Sequence, residues 1–434
     1  MKILIKNCNL ISMSDKREKY EKGIDILIEN NKIKEIKKEL SLEKCDRIID
    51  ATEKIVMPGL INTHTHIPMS IFRDTLDGYG LQEWLNDKIW PMEDNLNEED
   101  IYYASLLSCI EMIKSGTTTC NDQYFMTDSI IKAAKKLKLR MHCTRTLMDI
   151  NGDLEKRLKE LEELVNKYKN DDMITINVGI HSLYTCTREC VTKAVEFAKK
   201  HGLYIHMHFA ENSKELEDIR KLQNSNVPID LLEEYFKNIH IVLAHCVKVK
   251  PEEMNKLKGL DISVSHCPIS NLKLGCGISK INEFIKNGIN VSLGTDGQGS
   301  GNNLNMLSVM AYTALLQKGI NENARLLPAY EVIKMATING AKALKMEDEV
   351  GSIEVGKKAD LILIDLESSM TEPINDVFSN IVYNATPDNV ITTIIDGNIV
   401  MENGIIRGIK EKEIYKKCNS IIKRLTWQKA PINI

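Results

Sequence analysis

The chain has 434 residues, of which 43% are hydrophobic and 27% charged, and its formal net charge is -4. At roughly 100–200 residues per domain, that length means two or three domains, or one large barrel with a satellite. A core of this size needs no disulfide staples. The charge totals imply no basic face, so neither nucleic acid nor an anionic membrane is expected as a partner. No apolar run reaches the roughly 18 residues of a membrane span, and the first residues lack the apolar core and cleavage site of a signal peptide. The 11 cysteines are scattered without framework spacing, which reads as reduced thiols in a cytoplasmic protein.

The first 57 residues pattern as short strands: ILIKNCNLI, IDILIEN, KIKEIKK and RIIDATEKIVMPG, with period-two apolar positions and turns between them. From Pro58 to about Ala343 the texture changes. Strand-like runs (TTTCNDQYF, RMHCTRTL, TINVGIHSL, YIHMHFAE, HIVLAHC, ISVSHCP, NVSLGTD) alternate with amphipathic helical stretches such as LEKRLKELEELVNKYK and RECVTKAVEFAKKHG. That alternation favours parallel βα units, in a barrel or a doubly wound sheet. From about Val350 short strands return (KADLILIDL, VITTIIDGNIV), then a charged tail. The pattern suggests a small β module built from both ends of the chain.

Most of the ten histidines fall at ends of predicted strands. His64 and His66, two apart, share one face of a strand and can share a metal. An isolated H-x-H would be weak support, but other strand ends bring His206, His208 and Glu211, then His245, then Asp296 ahead of a Gly-rich turn. In a parallel barrel all these ends meet on one face. Imidazoles plus a carboxylate suit zinc, with iron or manganese as alternatives, and a position left for water marks a catalytic site. His206 and His208 lie on the same face, so spacing does not choose between them. Other patterns fail: the run Gly351–Lys357 has P-loop spacing but Lys358 replaces the required hydroxyl residue, no H-E-x-x-H is present, and Cys186 and Cys190 lack a second pair.

PGLINTHTH, HMHFAE, LAHC, SHCPISNLKLG, SLGTDG and GSIEVGKKADLILIDL together resemble the amidohydrolase superfamily over nearly the whole chain. The resemblance implies an α/β fold: a distorted (β/α)8 TIM barrel over residues 58–349, with a small β-sandwich formed by residues 1–57 and 350–434. Two-metal members carry a bridging lysine on the fourth strand, where this chain has His181, so one metal per subunit is implied. Deaminase-like members carry an acid three residues after the third ligand. Glu211 after His208 fits, which selects His208 and leaves His206 as a packed histidine.

Within the superfamily, THTHIPMSIFRD, EWLNDKIWPMED and TRTLMDINGD are similar to the methylthioadenosine/S-adenosylhomocysteine deaminase group. Carried over, the metal ligands are His64, His66, His208 and Asp296. His245 and Asp296 orient water and take its proton, and Glu211 protonates the purine ring. Trp84 walls the nucleoside, Glu93 accepts from the ribose hydroxyls, His181 bonds the purine, and Arg145 and Arg157 reach the 5′ substituent. Arg157 lies in LEKRLKELEE, where a solvated arginine paired with glutamates is an equal reading. Cys267 in SHCP and the loop GQGSG depart from the group, and both are expected to flank the substrate pocket. The implied reaction is hydrolytic deamination of 5′-substituted adenosines by a homo-oligomer. The alternatives are hydrolysis of another ring, such as guanine or an s-triazine, and a metal-binding protein without turnover.

Overall fold

The computed structural model describes residues 1–427 apart from 42–44, 76 and 151. Eight strands, Leu60–Thr65, Thr117–Tyr124, Arg140–Leu147, Val178–Ser182, Ile205–Phe209, Ile241–His245, Ile262–His266 and Asn290–Leu293, pair in that order and in parallel. Helices fill the crossovers. In Leu154–Tyr168 the residues Leu161, Leu164 and Tyr168 recur at helical spacing and bury one face, and the Asp153 side chain caps the first turn. Arg188–His201 starts on the Thr187 cap and stops at Gly202, whose φ of 66° suits glycine.

Side chains close the seam between the first and eighth strands. Asn62 Nδ2 donates to Thr295 Oγ1 at 2.7 Å, and the Thr295 N–H donates to Asn62 Oδ1 at 3.0 Å. The Asp296 N–H then donates to the His64 carbonyl at 3.0 Å. The seam thus sets two candidate site residues in register.

The two ends of the chain build a nine-stranded, mostly antiparallel sheet. Its halves meet where Ile55–Pro58 pairs antiparallel with Leu361–Ile364. Ile3, Ile5, Ile26, Ile28, Leu361 and Leu363 share its core. The charged segment near the end, for which pattern gave no element, is the helix Glu411–Trp427. It lies on the helix Glu98–Lys114 through Lys114–Glu411 and Lys417–Glu99 ion pairs, both 2.8 Å. No helix among the described residues is long and apolar enough to cross a membrane.

Gly59 joins the terminal sheet to the first barrel strand. A Cβ there would lie 2.1 Å from Thr118 Oγ1, so no side chain fits at this join. Farther along the same junction, Arg140 is 1% exposed and binds Asp360 at 2.7 Å and Asp396 at 3.2 Å, and it donates to the Asp172 carbonyl at 2.8 Å. Removing the cation strands two acids at a buried junction. Arg140→Met should therefore cost about 3–5 kcal/mol of unfolding free energy, read as a lowered urea midpoint; a loss below 1 kcal/mol would show that the junction does not depend on this pair.

Candidate functional site

The carboxyl ends of the barrel strands deliver His64, His66, His208, His245 and Asp296 to one place. Ligand atoms of His64, His66 and His208, and of His64, His245 and Asp296, form two overlapping groups whose atoms lie within 4.8 Å of one another. The hydrogen bonds around these rings define what they can hold. His66 Nδ1 donates to the Gln123 carbonyl at 2.6 Å, and His208 Nδ1 donates to the His181 carbonyl at 2.6 Å. A carbonyl only accepts, so a neutral ring so bound carries a lone pair on Nε2. Those two Nε2 atoms face each other at 3.1 Å, which is repulsive unless a cation or proton lies between them.

His64 Nε2 is buried with no hydrogen-bond partner and faces Asp296 Oδ1 at 3.5 Å, while His66 Nε2 lies 3.2 Å from the same oxygen. Ser270 and Ser300 hydroxyls occupy Asp296 Oδ2 at 2.6 and 2.9 Å, and the Gly297 N–H binds Oδ1 at 2.8 Å. Burial opposes charge on both rings. It drives His64 down to about 3, whereas Asp296 outweighs it at His66 and lifts that ring to about 9. The donor set of converging imidazole nitrogens, a carboxylate and an orphaned buried nitrogen fits a divalent metal. His206 Nε2 instead lies 2.8 Å from His64 Nδ1, on the opposite edge of that ring from the orphaned nitrogen.

Glu211 follows His208 across a bend whose Ala210 has φ of 53°. Its Oε2 is 3.7 Å from His245 Nε2. Burial, with the charges of Asp296 and Glu215, holds the Glu211 carboxyl well above the usual carboxylate range. His245 Nδ1 donates to Asn271 Oδ1 at 2.8 Å, which leaves Nε2 free to accept a proton. His245, Cys246 and Asp296 also take left-handed φ values of 73°, 50° and 62°. Non-glycine residues there cost of order 1–3 kcal/mol each and cluster at functional sites.

A cavity of about 620 Å³ opens over the cluster, and Trp84, Glu93, Arg145, Arg157 and His181 all line it beside His66, His208, Glu211, His245 and Asp296. Trp84 is 5% exposed, on a π-helical segment, Trp84–Ile89. Glu93 accepts a short hydrogen bond from the Tyr124 hydroxyl. Its carboxyl is pushed up to about 7 by burial, against that bond and the field of His66. His181 Nδ1 is bonded to Thr185 Oγ1 at 2.9 Å. Arg145 binds Glu160 at 2.6 Å. Arg157, for which a solvated glutamate pair was an equal reading, instead turns inward and donates to the Thr146 carbonyl at 3.4 Å.

Cys267 and GQGSG do not line the cavity but flank it, as expected: a Cβ on Gly297 would lie 2.7 Å from Met69 Sδ and one on Gly299 3.0 Å from Trp84, both of which line it. A Cβ built on Gly294 would meet both His64 Cβ and Cys267 Sγ, at 2.9 and 3.0 Å, so Cys267 packs beside His64. Gln298 points to Ser108, at 2.8 Å. Sequence reading also missed Tyr124, Ser270, Asn271, Ser300 and Glu215. Glu215 accepts from the Glu211 N–H at 2.6 Å and the Ser182 hydroxyl at 2.9 Å. The only sequence signal for Ser270 and Asn271 was their place inside SHCPISNLKLG.

A family model described as the amidohydrolase family matches residues 55–400. A 5-methylthioadenosine/S-adenosylhomocysteine deaminase of Caldanaerobacter subterraneus subsp. tengcongensis is 40% identical, over 96% of each chain. A 5′-deoxyadenosine deaminase of Methanocaldococcus jannaschii is 42% identical, over 96% of this chain and 98% of that one. Among solved structures, an adenosine deaminase from Xanthomonas campestris with bound zinc superposes with a TM-score of 0.93 at 26% identity, covering 98% of both chains.

The geometry separates the two neighbouring histidines. His208→Ala should lose stoichiometric divalent metal. His206→Ala should keep the metal with affinity weakened about 10–100-fold, as for a residue that orients a ligand. Metal content after dialysis and chelator competition read both, and the reverse pattern would exchange their roles.

Proposed function

The chain belongs to the amidohydrolase family, and from that premise we propose that it is a hydrolytic deaminase of 5′-substituted adenosines. Its substrates in this reading are 5′-methylthioadenosine and S-adenosylhomocysteine, with 5′-deoxyadenosine or adenosine as further ones. Glu211 carries the reading: a buried carboxyl raised well above the usual carboxylate range, beside His245 and lining a cavity sized for a nucleoside. The names of the relatives support the substrate class.

One divalent metal, zinc before iron or manganese, would be held by His64, His66, His208 and Asp296. When bound it supplies Lewis-acid activation, lowering the pKa of water toward about 7. The chain's own groups perform the proton transfers. His245 and Asp296 orient the water and accept its proton. Glu211 donates to the ring nitrogen beside C6, which makes C6 electrophilic. The water oxygen bonds to C6, the C6–amino bond breaks after a proton reaches that nitrogen, and ammonia leaves an inosine-type product. Trp84 walls the base and His181 bonds the purine. Glu93 accepts from the ribose hydroxyls. Burial and neighbouring Arg145 disfavour the Arg157 charge, which supports an anionic substrate group near it, such as an amino-acid carboxylate. A cytoplasmic homo-oligomer belongs to the same proposal, and exposed Tyr312, Leu315 and Ile320 on one helix are in keeping with subunit contact.

Ammonia release from zinc-loaded protein with methylthioadenosine, adenosylhomocysteine, 5′-deoxyadenosine, adenosine, guanine and a triazine tests the proposal. Turnover of 5′-substituted adenosines is expected; turnover of guanine or the triazine alone would discard it. Glu211→Gln should keep its metal and lose at least about 10²-fold in kcat, and an unchanged rate would remove Glu211 from the mechanism.

Glu93 sets a pH dependence. A carboxyl raised to about 7 is protonated below that pH and then offers one acceptor fewer to the ribose. Nucleoside kcat/KM should therefore rise through about pH 7, with that limb flattened in Glu93→Gln. Identical profiles in the two proteins would separate Glu93 from ribose binding.

A further inference from the structure

We propose that Cys276 is a positioning residue for Glu211, its thiol donating the hydrogen bond that fixes which carboxyl oxygen carries the transferred proton. The inference rests on the proton-donor reading of Glu211 given above.

Cys276 is 2% exposed, and its Sγ lies 3.7 Å from Glu211 Oε1. The competing acceptor for the thiol proton, the Leu274 carbonyl, is farther, at 3.9 Å. Among the described residues no other hydrogen bond to the Glu211 carboxyl is present; the one further polar neighbour is His245 Nε2, 3.7 Å from Oε2. An oxygen that accepts from S–H plays the part of the carbonyl oxygen of a carboxylic acid. The acidic proton then sits on Oε2, the oxygen turned to His245 and the reacting space. A thiol is a weak donor. It can orient the acid without stabilising the ionised carboxylate as an N–H or a strong O–H donor would.

The placement of the thiol is built, not incidental. The short helix Pro268–Lys273 is followed by a turn in which Gly275 has φ of 68° and Gly277 φ of 109°. The turn is pinned by the Cys276 N–H donating to the Asn271 carbonyl at 2.8 Å. The same Asn271 accepts the His245 Nδ1–H hydrogen bond on its side-chain oxygen, and the Ser270 hydroxyl donates to Asp296. Seven consecutive residues therefore touch all three groups assigned to proton handling. A displacement of this segment would disturb them together, whereas loss of the thiol alone would disturb only Glu211.

The test is steady-state kinetics of zinc-loaded Cys276→Ala and Cys276→Ser on a nucleoside that the wild type deaminates. For Cys276→Ala, kcat is expected to fall about three- to tenfold, the worth of one modest hydrogen bond. KM should stay within twofold and metal content should not change. Cys276→Ser, which restores a donor, should recover part of the loss. In a Glu211→Gln background, Cys276→Ala should change kcat less than twofold, because the two act as a unit. An unchanged kcat in Cys276→Ala overturns the inference, as does an equal penalty in the Glu211→Gln background or a loss expressed in KM or metal content. Absence of nucleoside turnover by the wild type would instead overturn the functional reading beneath it.

Discussion

Two imidazole lone pairs held face to face are the constraint on which the site depends. His66 and His208 are each locked by a backbone carbonyl, so neither ring can turn its Nε2 away from the other at 3.1 Å. The repulsion is a cost the fold bears when no cation is present and recovers when one binds. The same logic explains the surroundings. Asp296 sits against the rings with one oxygen saturated by two serine hydroxyls, which leaves the other directed at His64 and His66. Protonation of His66 and binding of a metal are competing answers to the same electrostatic demand.

Holding such a cluster requires rigidity at the strand ends, and the fold supplies it from outside the barrel. The first barrel strand is a continuation of the terminal sheet through Gly59, where Thr118 leaves no room for a side chain. Its other flank is tied to the eighth strand by Asn62, Thr295 and the Asp296–His64 backbone bond. His64 is thereby placed by a sheet built from both ends of the chain. Left-handed φ values at Ala210, His245, Cys246 and Asp296 turn the chain sharply so that Glu211, His245 and Asp296 converge. Strain of this kind survives only because the surrounding hydrogen bonds over-determine the backbone.

Much of this was legible in the residues alone, for a physical reason. Strand periodicity and strand-end histidines are local signals that put His64, His66, His206, His208, His245 and Asp296 at strand ends, but the pattern left a barrel or an open sheet; the family resemblance supplied the barrel, in which every strand end arrives at one face. The choice of His208 over His206 was not legible from spacing, since both share a face; it came from Glu211 and from which ring edge is turned inward. Tyr124, at the end of the second barrel strand, and Ser270, Ser300 and Glu215, on short helices, escaped notice because single hydroxyls and carboxylates carry no spacing signature. Their partners are distant in the chain, as with Tyr124 and Glu93 or Ser270 and Asp296. Arg157 shows the converse limit. Its charges pattern as a solvated helix face, yet this arginine lies on the side facing Thr146 and the cavity, and the neighbouring Glu160 pairs with Arg145 instead.

In the proposed reaction, most of the groups assigned to chemistry and those assigned to substrate sit in different kinds of structure. The proton-handling groups lie on strand ends or on the tightly bonded segment around Ser270 and Asn271, where a shift of one residue would break several hydrogen bonds at once. Trp84 and Glu93 lie on short helical pieces between the first and second strands, including a π-helical turn, a geometry that is tolerated where function needs it. Arg145 and Arg157 line the cavity from the third strand and the helix after it. The helical pieces that carry Trp84, Glu93 and Arg157 lie outside the barrel strands and can vary without moving the inner cluster, whereas Arg145, on a barrel strand, is fixed with it. Two proteins can therefore share the inner cluster and differ in the group they accept elsewhere in the cavity. Under the proposed function, overall similarity speaks to the reaction, and the residues around Arg157 and Glu93 are the ones to test for the substrate.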